Sequence, residues 1–324
     1  MQRILLDVGV TSFFPWKRFV QILKAAGDDA FNTLWIGEDI NGSVDVFVQA
    51  LFALSSTRLN VGIGITSIYF HKLVNIARAA ASLSEVSLNR FRLGIGVGSL
   101  KILSEMGIPI ERPVSTMREA AFLLRKIWNE ERTTFNGSSF VFNDYIPHYR
   151  PFSRIPLYFG VRGRKLLELA GEIADGVIIS GPKTYIRKAI ELFRSKSGGA
   201  DKRIVVWLPT ILIERKEDLD LAKEAVVVVL ADTPQQVIRL SSISPEEAQV
   251  ICRFYIQGDM KRAIELVSDE IMDEMLFYGS AQEICEAFTY LETLGVHEVV
   301  FGPPFGRKLE SSIMEISKAW SKTN

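Results

Sequence analysis

Apolar positions in this chain form two alternating kinds of run. Short, almost unbroken apolar stretches are followed by longer stretches whose apolar residues recur at helical spacing. The first kind reads as buried parallel strand and the second as amphipathic helix, so their alternation predicts an α/β fold. Strands are expected at residues 4–10, 33–37, 59–66, 92–97, 157–161, 177–180, 203–213 and 298–302. Helices are expected at 16–26 after Pro15, then at 44–56, 73–87, and 114–129 with Pro113 in its first turn. Further helices follow at 164–174, 185–195, 281–294 and 309–320, and a long helical stretch runs from 217 to 275. That stretch is broken at Asp232-Thr233-Pro234 and at Gly258-Asp259.

Eight strands, each followed by helix, predict a (βα)8 TIM barrel; an open doubly wound sheet is the alternative. Eight units need about 250 residues. The surplus in a chain of 324 fits insertions near 131–155 and 232–278 of a single barrel domain spanning 1–324. The first insertion alternates on either side of Asn136-Gly137 and reads as a hairpin.

Composition narrows the partners. Lys plus Arg and Asp plus Glu number 38 each. With no net field and no basic block interleaved with aromatics, a nucleic-acid partner is not expected. The N-terminus reaches Asp7 too early for a secretory signal, and the longest strongly apolar run, 225–231, is too short to span a bilayer. Cys252 and Cys285 lie in helical patterns and read as small core residues rather than a disulfide. A cytoplasmic protein is expected.

Candidate chemistry gathers at strand ends, where barrels carry their sites. Gly62 and Gly64 share one strand face, and Gly94, Gly96 and Gly98 share another. Such faces either receive a flat ring or a close backbone, or allow tight strand packing. Gly94-Ile95-Gly96-Val97-Gly98 lacks the spacing of a dinucleotide fingerprint. Gly160, Arg162, Gly163, Arg164 and Lys165 open a helix with three cations, which oppose the helix dipole unless an anion such as phosphate sits among them; three solvated side chains are the alternative. The candidate acids are Asp7 on the first strand and Glu38 and Asp39 closing the second, although Asp39 could equally start the Asn41-Gly42 turn. His71, His148 and His297 are too scattered for a metal site, and no nucleophile motif is present. A bound cofactor is therefore expected to supply the chemistry.

Several stretches resemble the bacterial-luciferase-like superfamily and, within it, the methylenetetrahydromethanopterin reductases. They include Trp35-Ile36-Gly37-Glu38-Asp39, Gly62-Ile63-Gly64-Ile65-Thr66 and Met106-Gly107-Ile108-Pro109. Arg112 to Glu119, Glu168 to Gly176 and Phe301-Gly302-Pro303-Pro304-Phe305-Gly306 match as well. The resemblance implies a barrel that binds 8-hydroxy-5-deazaflavin (coenzyme F420) at its C-terminal mouth and passes hydride to a methylene-pterin. It implies a bulge in the third strand, with a cis peptide at Gly64–Ile65 behind the ring. It further implies coenzyme contacts at Gly64, Ile65, Thr66, Gly98 and Ser99, phosphate held at residues 160–165, and a homodimer or larger homo-oligomer.

Three positions depart from the reductase pattern. Glu38-Asp39 stands where the family has Asp-His, and Ser99 where it has Asp after Gly-Pro-Gly. On the first strand the family's Glu has Asp7 as its nearest counterpart. A serine cannot act as a carboxylate proton donor. An FMN-dependent oxidoreductase or monooxygenase of the same superfamily, and a catalytically silent ligand-binding paralogue, stay open as alternatives.

Overall fold

The computed structural model describes residues 3–27, 30–129 and 132–323. Its strands are β1 (Leu5–Thr11), β2 (Thr33–Gly37), β3 (Asn60–Ser67), β4 (Phe91–Gly96), β5 (Thr133–Asn136) and β6 (Val141–Tyr145). There follow β7 (Leu157–Gly160), β8 (Gly176–Ile179), β9 (Arg203–Leu212), β10 (Phe277–Gly279) and β11 (Glu298–Phe305). Eight of them pair in parallel and close in the order β1-β2-β3-β4-β7-β8-β9-β11, with β11 returning to β1. The expected barrel is therefore the fold, and the open sheet is excluded by the β8–β9 pairing.

Two apolar layers explain why this sequence closes. Outward residues of the strands, such as Leu6, Ile36, Ile63 and Leu93, meet the inner stripes of the surrounding helices. Inward positions form a separate small core of Trp35, Tyr158, Ile178, Val205 and Val300, with Ile65 and Trp207 packed against it. Strands buried on both faces are the reason the runs read as continuously apolar.

The insertions differ in detail from expectation. β5 and β6 make the hairpin, but the turn takes residues 137–140 rather than Asn136-Gly137 alone. The Glu119 carboxylate organises that turn by accepting from the backbone amides of Ser138, Ser139 and Phe140 at 2.8, 2.9 and 3.2 Å. The stretch from 217 to 275 is five helices, Asp218–Asp232, Gln235–Ile238, Pro245–Ile256, Met260–Glu265 and Asp269–Met275. Two of its breaks are set by Ser244 and Ser268, whose hydroxyls cap the next helix. These helices share their own core, built on Val226, Val227, Ile251 and Met272. The short helix Leu100–Glu105, strand β10 and the extension of β11 through cis Pro303–Pro304 were not expected from the sequence.

Candidate active site

The mouth is shaped by β3. Its register against β4 shifts between Ile63 and Thr66, and the Gly64–Ile65 peptide inside that bulge is cis. The bulge turns Ile65 across the neighbouring strands. Its side chain takes the space a Cβ would need at Gly160, and lies 2.9 Å from that of Gly96 and 3.2 Å from that of Gly94.

The glycine faces are thus filled by the protein itself. Trp35 packs over Gly62, and Trp207 lies 2.6 Å from where a Cβ on Gly9 would stand. The close-packing interpretation holds for these glycines, whereas Gly64 and Ile65 at the bulge are partly exposed.

Glu38 follows β2 and is drawn toward the bulge, its amide donating to the Ile65 carbonyl at 3.1 Å. Its carboxylate is nearly enclosed, with 6% of the side chain exposed. Oε2 accepts from Thr66 Oγ1 at 3.0 Å and from the Ser67 amide at 3.1 Å. Oε1 lies 2.6 Å from Nε2 of His71, in the loop after β3. Phe47 and Phe70 pack edge-on against the imidazole at centroid distances of 5.5 and 4.6 Å. His71 was missed from sequence because one histidine in a loop carries no periodic signal; only the approach of β2 and β3 pairs it with an acid.

Asp39 behaves as the turn residue that its neighbours suggested. Its carboxylate accepts from the Asn41 amide at 3.0 Å, and its own amide donates to Ser12 Oγ at 2.8 Å. Ser99 precedes the helix Leu100–Glu105, and its hydroxyl makes no capping bond. Gly98 beside it has φ +92° and packs on Ser67, whose hydroxyl donates to the Val97 carbonyl at 2.6 Å.

The structure does not bring Asp7 to this mouth. Asp7 lies four residues below Thr11, about 13 Å along the strand, and is fully buried. It accepts from the Thr33 amide at 3.0 Å and from Trp35 Nε1 at 2.8 Å. The same indole reaches with its far edge to Gly64, so it stands between Asp7 and the bulge. Asp7 belongs instead to an ionic floor with Glu298, Arg92 and Arg203. Burial, then the Glu298 charge, pushes the Asp7 carboxyl well above its ordinary range. Burial acts the same way on Glu298, but Arg92, the hydrogen bond from Asp7, and Arg203 outweigh it and hold Glu298 low. Of the two carboxyls, Asp7 is therefore the weaker acid and Glu298 the stronger.

The cations after β7 are less free than the sequence suggested. Arg162 donates to the Asp232 carbonyl at 3.1 Å, and Arg164 pairs with Glu168 at 2.8 Å, one turn along its helix. Lys165 is exposed with no ion-pair partner among the described residues. Gly163, at φ +90°, starts the helix Arg164–Ile173 against Gln236. Among the described residues, no cluster of His, Cys, Asp or Glu could hold a metal ion. Both cysteines are free thiols; Cys285 is buried and Cys252 half-buried.

A closed parallel barrel with a bulged third strand and a carboxylate–imidazole pair at its mouth defines the class as a barrel enzyme with a C-terminal site. The family described as luciferase-like monooxygenase matches residues 3–298, and this chain belongs to it. It is 28% identical over 320 residues to a 5,10-methylenetetrahydromethanopterin reductase of Archaeoglobus fulgidus, covering 94% of this chain and 96% of that one. Its fold is similar to that of the coenzyme F420-dependent tetrahydromethanopterin reductase from Methanopyrus kandleri, with a TM-score of 0.89 and 21% identity over 100% of this chain and 99% of that one. An F420-dependent secondary alcohol dehydrogenase, solved with an F420–acetone adduct, matches at a TM-score of 0.77 and 17% identity over the whole of both chains.

Proposed function

We propose that this chain is an oxidoreductase that uses coenzyme F420 and transfers hydride to a methylene-tetrahydropterin or a related one-carbon carrier. The observation that carries this reading is the similarity to the Archaeoglobus reductase along nearly the whole chain. The floor of the mouth suits a flat ring system: it is formed by Gly64, which has no side chain of its own, and by the Ile65 side chain, which packs down on Gly94, Gly96 and Gly160. The coenzyme, when bound, would supply the hydride. Gly64 and Ile65 would back its ring, with Gly98 and Ser99 alongside. Arg162, Lys165 and the backbone from Gly160 through Gly163 to Arg164 would receive its phosphate. Thr66 serves the site through Glu38, whose carboxylate it binds. Glu38 places a carboxylate at the mouth, Asp39 shapes the adjoining turn, and Asp7 has no part in the reaction.

The same reading takes the protein as a cytoplasmic homodimer or larger homo-oligomer. Exposed Phe13, Val48 and Leu51, on and beside the helix Val46–Ser56, supply apolar surface for assembly. Among the described residues, no helix is long and apolar enough to cross a membrane.

Reconstitution with coenzyme F420 and, separately, with FMN tests the reading. Deazaflavin absorbance should bind to the protein, and the reduced form should be oxidised by methylenetetrahydromethanopterin. Uptake of FMN alone would make the chain an FMN-dependent member of the family. Binding without turnover would make it a silent paralogue.

A further inference from the structure

We propose that His71 is the residue that exchanges a proton with the ligand at this mouth, with Glu38 as its positioning residue. The inference rests on the function proposed above. Glu38 itself is badly placed to be the acid. Its carboxylate is almost enclosed, and three donors or partners occupy its oxygens: Thr66 Oγ1, the Ser67 amide and His71 Nε2. A carboxylate so saturated orients a neighbour rather than serving a substrate, as the acid of a triad orients its imidazole. His71 is the more open member, with 17% of its side chain exposed. Nε2 is committed to Glu38, while Nδ1 has no hydrogen-bond partner among the described residues. Phe47 and Phe70 flank the ring and limit its rotation. Among the described residues, Glu38 is the one charged group paired with the imidazole; Lys72, next in the chain, is exposed.

This arrangement answers a need of the reaction. Reducing a methylene bridge between two nitrogens to a methyl group breaks one carbon–nitrogen bond. The carbon takes a hydride, and the departing nitrogen keeps the bonding pair and takes one proton. His71 supplies that proton from Nδ1, leaving a neutral imidazole whose Nε2–H still faces Glu38, and solvent later restores it. In the reverse direction Nδ1 accepts the proton.

His71→Gln should lower kcat by about 10²–10³-fold and remove the pH-dependent limb of the rate, while coenzyme F420 affinity stays within about twofold. Glu38→Gln should cost about tenfold in kcat and keep that limb. The opposite pattern, a silent Glu38→Gln beside an active His71→Gln, would overturn the proposal. Nitrogen-15 spectra give a readout independent of turnover, since the chain has three histidines and the His71 signals are those lost in His71→Gln. Addition of coenzyme F420 plus the pterin should move His71 Nδ1 and leave Nε2 hydrogen-bonded. An unmoved Nδ1 in the filled site sinks the proposal. If the protein takes FMN instead, the proposed reaction fails, yet the response of Nδ1 to FMN still decides whether His71 faces the ligand. A protein that binds neither overturns both.

Discussion

Ile65 fills the space that a side chain at Gly160 would need, because the bulge in β3 turns it across β7. A methyl group on Gly160 meets Cγ2 of Ile65 directly. Gly160→Ala should therefore destabilise the fold by about 1–3 kcal/mol, the usual cost of overpacking a full interior. Adding Ile65→Ala should recover part of that loss, and urea midpoints of the two single variants and the double variant measure the coupling. Additive effects would mean that the two side chains do not share a seat. The ionic floor offers a second residue-scale test. Glu298→Gln strands the Arg92 and Arg203 guanidiniums, both largely covered, at a cost of about 3–5 kcal/mol. Because Glu298 is held below its ordinary 4.5, its contribution is present above that pH and lost as pH falls through the folded value. Asp7 works in the opposite sense, contributing fully below its ordinary 3.8 and losing stability as pH rises through its folded value. The acid limb of the stability profile should accordingly flatten in Glu298→Gln, as chemical denaturation across pH would record.

At the scale of elements, single side chains hold the loops that the hydrophobic pattern leaves undefined. Burial pushes the Glu119 carboxyl up, but bonds from Ser138, Ser139 and Phe140 outweigh it and hold it below its ordinary range. Those bonds are present above the ordinary value of 4.5 and are lost as pH falls through the depressed one. Glu119→Gln should loosen the β5–β6 turn already at neutral pH, visible as shifted amide resonances for residues 138–140; unchanged resonances would show that the turn holds itself. The helix Arg164–Ile173 carries the other element-scale prediction. If its first turn receives the coenzyme phosphate, Arg162→Ala with Lys165→Ala should weaken deazaflavin binding and reduce its salt dependence. Equal affinity at every salt concentration would leave both as surface cations, Arg162 serving only Asp232.

Across the whole molecule, the helices between Asp218 and Met275 are bound to one another by their own core and meet the barrel through Ile211 on β9, Val237 in the main core and the Arg162–Asp232 bond. They should exchange backbone hydrogens faster than the barrel strands, opening as a unit before global unfolding. Equal protection in both would mean one cooperative structure. The order of strands and helices was legible in the sequence because burial on both faces of a parallel strand and on one stripe of a helix leaves a local periodic trace. The bulge at Gly64–Ile65 was expected from the family resemblance alone, whereas the cations at residues 162–165 and the acids at the strand ends were legible as residue types at chain positions. Which of those acids meet at the mouth was not, because that depends on depth along a strand and on what else fills the barrel. Trp35 and Trp207 took the space over the glycines and left Asp7 in the ionic floor with residues as distant in the chain as Glu298. The Glu38–His71 pair spans 33 positions and exists only because β2 lies beside β3. Local periodicity thus determined the elements and their order, whereas packing between strands far apart in the chain decided which side chains share the site.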